Sequence, residues 1–94
     1  MPITLIGATQ EGKANNGANA SCLLEWEGQT NLDCSLSTVY LQIYNHDLTI
    51  WETVDSDDTT GVDTDFPLDG NIPDTTDYKD GSDVISCRVY QLAV

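Results

Sequence analysis

The residues of this chain that could do chemistry are a single histidine and a run of acids. His46 is the only histidine, and it stands between Asn45 and Asp47, where the sequence predicts a turn. A general base or an activated nucleophile needs a partner group held within hydrogen-bond reach. A solvent-exposed histidine in a turn lacks that support, so we interpret His46 as a turn residue.

The acidic run from Asp55 to Asp65 carries carboxylates at alternate positions, and carboxylate oxygens are the ligands that Ca²⁺ prefers. The run does not fit an EF-hand loop, because Gly61 falls one place late and Phe66 stands where a bidentate Glu belongs. We therefore interpret it as a solvated acidic loop. The alternative is a calcium site in this loop, formed by Asp55, Asp57 and Asp63 or Asp65.

Patterns typical of enzymes and cofactor sites are missing from the sequence. It has no CxxC pair for zinc and no phosphate-binding loop, and its early glycines are too far apart for a dinucleotide fingerprint. Paired acids for glycoside hydrolysis also need a deep cleft, for which a domain of this size has little room. We predict a non-enzymatic protein with no catalytic, cofactor-binding or metal-ligating residues.

The charge balance narrows the classes of partner. Sixteen acidic residues against three basic ones give a formal net charge of −13. This charge repels nucleic acid and anionic lipid surfaces, so we expect neither as a partner. It also favours solubility, suits a salty environment and could complement a basic protein surface, and the count leaves these three explanations open.

The N-terminal residues show no secretory signal, and no stretch reaches the ~18 apolar residues of a membrane span. We therefore expect synthesis in a cytoplasm, where thiols stay reduced. Cys22, Cys34 and Cys87 are then expected to be small buried hydrophobic residues. A bridge from Cys22 to Cys34 or to Cys87 is the alternative.

The elements that must position these residues are β-strands. The clearest is a hairpin over residues 39–54, whose first strand places Val39, Leu41 and Ile43 on one face and Tyr40, Gln42 and Tyr44 on the other. A turn centred on His46 follows. In the predicted return strand the alternation resumes, with Leu48, Ile50 and Val54 at even positions and Thr49, Trp51 and Thr53 between them.

Further strands are predicted over residues 2–9, 20–27, 61–68 and 84–94. Trp26 shares the alternation of Cys22 and Leu24 and is expected in the core. The third of these strands should bury Val62, Phe66 and Leu68. The last is apolar on both faces, which is typical of a strand that is central or covered on both faces. Between the strands we predict a polar loop or arm at residues 10–19, a loop at 28–37 and turns at 69–71 and 80–81.

About seven short strands in one 94-residue domain predict an all-β fold, an antiparallel β-sandwich. The stretches SCLLEWE, VYLQIYNHDLTIWETV, TTGVDTDFPL, IPDTTDY and SCRVYQLAV resemble the successive strands of a fibronectin type III or related immunoglobulin-like module. In this resemblance Trp26 matches the tryptophan of the second strand. Tyr78 after Ile72-Pro73 is similar to the tyrosine corner, which implies a hydroxyl bonded to upstream backbone. Cys22 and Cys87 would stand on the two strands that immunoglobulin domains bridge.

A small acidic sandwich without an evident site favours a structural or interaction module. We expect a virion surface or capsid decoration (cement) protein of a phage, made in the host cytoplasm, that binds capsid or other virion proteins and can form homo-oligomers. Binding would use edge strands or a patch around Tyr44 and Trp51. The alternative is an extracellular module for calcium-dependent adhesion or carbohydrate binding. A third interpretation is a cytoplasmic protein of a salt-loving organism.

Overall fold

The computed structural model describes residues 3–5 and 10–92, and they form an all-β fold without a helix. Strands β2 to β7 are six to nine residues long, and β1 has three. The all-β prediction is confirmed. The strands are β1 (Ile3–Leu5), β2 (Gln10–Asn15), β3 (Cys22–Thr30), β4 (Val39–Asn45), β5 (Ile50–Asp57), β6 (Phe66–Ile72) and β7 (Val84–Gln91).

The strands lie in two sheets, with the orders β1-β3-β6 and β2-β7-β4-β5. The pair β3–β6 and all three pairs of the second sheet are antiparallel, whereas the short β1 runs parallel to β3. Strand β7 lies between β2 and β4, so the prediction that the last strand is central is confirmed.

Both sheets contribute side chains to the hydrophobic core, in which the described residues form two clusters. The main cluster combines Val39, Leu41 and Val89 of the second sheet with Phe66 and Leu68 of the first. Burial alternates along β4 as predicted, with Val39, Leu41 and Ile43 at 0%, 2% and 1% exposure. Two antiparallel sheets that share a core are compatible with a β-sandwich.

Trp26 packs against this core together with Leu24, as the alternation of β3 predicts. Its ring meets that of Phe66 edge to face, with the centroids 5.2 Å apart. The intervening Leu23 points outward and is 59% exposed. The inward and outward faces of β3 could therefore be assigned from sequence.

The return strand of the hairpin differs from the prediction. The turn occupies residues 46–49, so Leu48 lies in the turn and Ile50 lies at the end of the hairpin, and the two are 57% and 48% exposed. A bulge also interrupts the pairing, because Leu41 pairs with Asp55 and Gln42 with Thr53, which leaves Val54 unpaired. The return strand therefore begins later than predicted, at Ile50, and of the three apolar residues only Val54 is half-buried.

The predicted polar loop at residues 10–19 is wrong for its first part, which forms strand β2. Residues Gln10–Asn15 pair with residues 84–89 of β7 along one edge of the sheet. Residues 11–15 are all exposed. An edge strand held by backbone hydrogen bonds needs no apolar side of its own, so the sequence carries no alternation that would reveal it.

The secondary structure predicted for residues 61–71, in the acidic part of the chain, is also partly wrong. The predicted strand at residues 61–68 begins only at Phe66, and Val62 is 48% exposed. The predicted turn at residues 69–71 belongs to β6. Pro67 and Gly70 are tolerated there because β6 is an edge strand of its sheet. The turn predicted at residues 80–81 is confirmed, and β3 extends into the predicted loop as far as Thr30.

The three cysteines are free thiols as expected, so the alternative, a bridge from Cys22 to Cys34 or to Cys87, is wrong. Cys34 is buried as expected, whereas Cys22 and Cys87 are half-buried. Burial raises the pKa of all three thiols, which keeps them protonated. The predicted strand residues 2, 6–9 and 93–94 lie outside the described residues.

Candidate functional site

The outer face of the β2-β7-β4-β5 sheet concentrates the aromatic residues of the chain. Residues that alternate with the buried positions of β4 and β7 face outward, and the strand register places them in rows. Tyr44 pairs with Trp51, Gln42 with Thr53 and Arg88, and Tyr40 with Ser56 and Tyr90. We use the name aromatic face for the surface formed by Tyr40, Gln42, Tyr44, His46, Trp51, Arg88 and Tyr90.

Arg88 is the centre of this face. Its guanidinium carbon lies 4.3 Å from the centroid of the Trp51 ring and 5.0 Å from that of Tyr90. Its Nε donates a hydrogen bond of 2.6 Å to Oε1 of Gln42. Cation–π contacts and the hydrogen bond restrict the Arg88 side chain, so less conformational entropy is lost if a partner binds here.

Tyr44 extends the stack toward the hairpin turn. Its ring packs edge to face on Trp51, with the centroids 5.2 Å apart, and on His46 at 4.8 Å. The prediction of a solvent-exposed His46 is wrong, because Nε2 is buried and has no hydrogen-bond partner within the described part of the chain. The amide of His46 donates to the carbonyl of Asp77 at 2.8 Å, which fixes the turn against the segment before β7.

A groove of about 260 Å³ lies between strand β2 and the end of the aromatic face formed by Tyr44, His46 and Trp51. Ser86 pairs with Lys13 of β2, and the next residue of β7, Cys87, pairs with Ile43 beside Tyr44, so Ser86 lies between Lys13 and the row of Tyr44 and Trp51. Its short side chain leaves a gap between the aromatic rings and the charged edge strand. We call this gap the Ser86 groove. Its lining comprises Glu11, Gly12, Lys13, Tyr44, His46, Trp51, Ser86 and Cys87.

Tyr78 does not form the predicted tyrosine corner. Its hydroxyl donates a 2.7 Å hydrogen bond to Oε1 of Glu52, not to upstream backbone. Oε2 of Glu52 accepts a second bond from the amide group of Asn45, also at 2.7 Å. The hydrogen bond to Glu52, aided by partial burial, raises the pKa of Tyr78. This network links β4 and β5 to the segment that precedes β7.

The acidic run does not gather into a metal site in the described residues. Among them no group of three or more His, Cys, Asp or Glu side chains could hold a metal ion. Asp55 accepts hydrogen bonds from the amides of Ser56 and Asp69, and Asp57 from those of Thr59 and Thr60. These two carboxylates therefore stabilise turns and link β5 to β6. Asp63 and Asp65, the other two candidates, are exposed.

Sequence reasoning identified Tyr44 and Trp51 as a patch but missed Arg88, Tyr90 and the Ser86 groove. The signal that could have found Arg88 and Tyr90 is their alternation with the buried Ile85 and Val89. No sequence signal reports that β2 and β5 bring Lys13 and Trp51 to opposite sides of Ser86.

No protein-family model matches the chain, and no similar curated protein or solved structure was found. Across the residues that the structure describes, no helix is long and apolar enough to cross a membrane. Inferences about function therefore depend on the geometry of the aromatic face.

Proposed function

We propose that this protein is a non-enzymatic interaction module that binds a protein partner through the aromatic face. The observation that carries the proposal is the amino-acid composition of the aromatic face. Four of the seven aromatic residues of the chain share this face with Arg88, one of only three basic residues. Trp, Tyr and Arg are the residues that most often dominate the energy of protein interfaces.

The charge of the chain supports a partner with a neutral or basic surface. A formal charge of −13 repels acidic surfaces at long range and speeds association with basic ones. At short range, Arg88 and the half-buried rings provide contact area that loses little entropy on binding. We propose the outer shell of a virion as the setting, with the protein as a surface or capsid decoration protein.

We further propose that the fold is a sandwich of the immunoglobulin or fibronectin type III kind. In immunoglobulin domains, strands A, B and E share one sheet and strands C, F and G the other. The order β1-β3-β6 fits A, B and E, and β4-β7 fits C and F. The place of strand G is then taken by β2, and β1 departs from the pattern because it runs parallel to β3.

The test is association with purified virions from cells that produce the protein, followed by density-gradient sedimentation. The chain should sediment with the particles. Substitutions W51A and R88A should each weaken binding by about 2 kcal/mol, or roughly 30-fold in Kd. The matched control is L23A, which removes an exposed apolar side chain from the opposite sheet. Absence of the chain from particles, or an equal loss with L23A, would refute the proposal.

A further inference from the structure

We propose that the Ser86 groove binds one ring of a neutral saccharide. This would be a second binding activity, which goes beyond the protein partner proposed above. The groove extends from β2 across Ser86 of β7 to Tyr44 and Trp51, whereas Arg88, which stacks on the same Trp51 ring, lies two residues further along β7.

One side of the groove is aromatic and angled. The ring planes of Tyr44 and Trp51 differ by 64°, and those of Tyr44 and His46 by 81°. Together they offer apolar surface to a ligand in more than one orientation. A pyranose has a face of C–H groups that packs on such rings, while its hydroxyls point away from them. Arg88 holds Trp51 in place, so this wall exists before a ligand arrives.

The other side of the groove and its floor supply polar groups with free hydrogen-bonding capacity. Lys13 offers donors, Glu11 offers acceptors and the Ser86 hydroxyl offers both. None of these three side chains has a hydrogen-bond partner within residues 10–92 of the structure. An apolar lining with a few polar groups at its edge is typical of small-molecule sites.

Charge decides which saccharides fit. Lys13 and Glu11 balance each other inside the groove, and the −13 charge of the chain disfavours an anionic sugar. A cationic amine would have to compete with Arg88, which already lies over the Trp51 ring, and Lys13 already offsets the charge of Glu11. The ligand that fits the groove is therefore neutral and rich in hydroxyl groups. The volume of about 260 Å³ is below the ~300–1,000 Å³ of pockets for drug-sized ligands, so we expect one ring to be enclosed.

The two tryptophans make a direct test possible by NMR. In a ¹⁵N-labelled sample each gives one indole signal, and Trp26, which packs in the core, is the internal control. We would titrate glucose, galactose, mannose and N-acetylglucosamine, with glucuronate and glucosamine as charged comparisons. At least one neutral sugar should shift the Trp51 indole and the Ser86 amide saturably and leave Trp26 in place. No saturable shift with any neutral sugar, or tighter binding of a charged one, would overturn the proposal.

Two variants keep this test separate from that of the protein partner. S86F fills the groove floor and should abolish the sugar-induced shifts. K13A changes an exposed residue of the edge strand and should weaken them, and amide dispersion reports whether either variant is folded. Sugar binding that survives in folded S86F would overturn the proposal. A wild-type chain that binds sugar but not virions would refute only the protein partner, and one that binds virions but no neutral sugar would refute only the saccharide site.

Discussion

Gly70 allows β6 to pass close to the bulged residue Val54 of β5, so a single added methyl group tests the closure of this side of the protein. A Cβ at Gly70 would overlap Cγ1 of Val54, and it would lie 3.4 Å from Cβ and 3.7 Å from the carbonyl oxygen of that residue. Val54 cannot turn away freely, because a β-branched side chain has few allowed rotamers. We therefore expect Gly70→Ala to destabilise the fold.

The magnitude follows from two opposing effects. Overpacking of this kind costs about 1–3 kcal/mol, whereas replacing Gly by Ala stabilises by about 0.4–1 kcal/mol through the unfolded chain. The net loss should be about 1–2 kcal/mol. In a domain of this size each kcal/mol lowers Tm by roughly 4–8 °C.

Urea denaturation followed by far-UV circular dichroism gives the free energy of unfolding for each variant. Gly61→Ala and Gly81→Ala are matched controls, because a Cβ at either position meets no atom within 4 Å, and they should be neutral or slightly stabilising. In a Val54→Ala background, the loss caused by Gly70→Ala should disappear, since the overlapping Cγ1 is gone. An equal loss in both backgrounds would refute the reasoning.

Four further predictions concern two hydrogen-bonded side chains, one thiol and the effect of calcium. Tyr78→Phe should lower the free energy of unfolding by about 1 kcal/mol at pH 7. The hydrogen bond to Glu52 raises the pKa of Tyr78 above its usual 10.0. The stabilisation by this bond is therefore complete below pH 10 and is lost as pH rises further, which urea denaturation at several pH values would show. Burial, and to a smaller extent the carboxylate of Asp57, raises the pKa of the Cys34 thiol to about 11. Of the three cysteines, Cys34 should therefore be the last to react with iodoacetamide at pH 8, which mass spectrometry can follow. Burial of Asp57 raises its pKa, but hydrogen bonds from amides and a hydroxyl outweigh this effect, so the pKa is lowered. Asp57→Ala should therefore lower the free energy of unfolding by about 1–2 kcal/mol at pH 7, and by less once pH falls below 3.8. The midpoints of urea denaturation measure this loss. Calcium should raise Tm no more than monovalent salt of equal ionic strength, because the carboxylates of Asp55 and Asp57 already accept backbone amides, and a calcium-specific rise of several degrees would contradict this.

The sequence predicted the strands that bury one face. Val39, Leu41 and Ile43 alternate with half-exposed neighbours, and this period of two follows directly from strand geometry. The same rule assigned the inward side of Trp26. It failed for β2, because a polar edge strand is stabilised by backbone hydrogen bonds, which no side-chain pattern records.

Predictions from local sequence also failed at positions where long-range contacts determine the conformation. Gly70 was predicted in a turn, yet it lies in β6, where the close approach of Val54 favours Gly. Tyr78 resembled a corner tyrosine, but its hydroxyl donates a hydrogen bond to the carboxylate of Glu52. These outcomes depend on neighbours that are distant in sequence.

By itself the sequence determined the fold class, the strong negative charge and the outward direction of Tyr40, Gln42 and Tyr44, because composition and alternation are local properties. The tertiary structure decided which residues meet. Arg88 stacks between Trp51 and Tyr90 only because β7 pairs with β4 and β4 with β5. The aromatic face is built from three strands, so it depends on register, and register is set by pairing between distant segments.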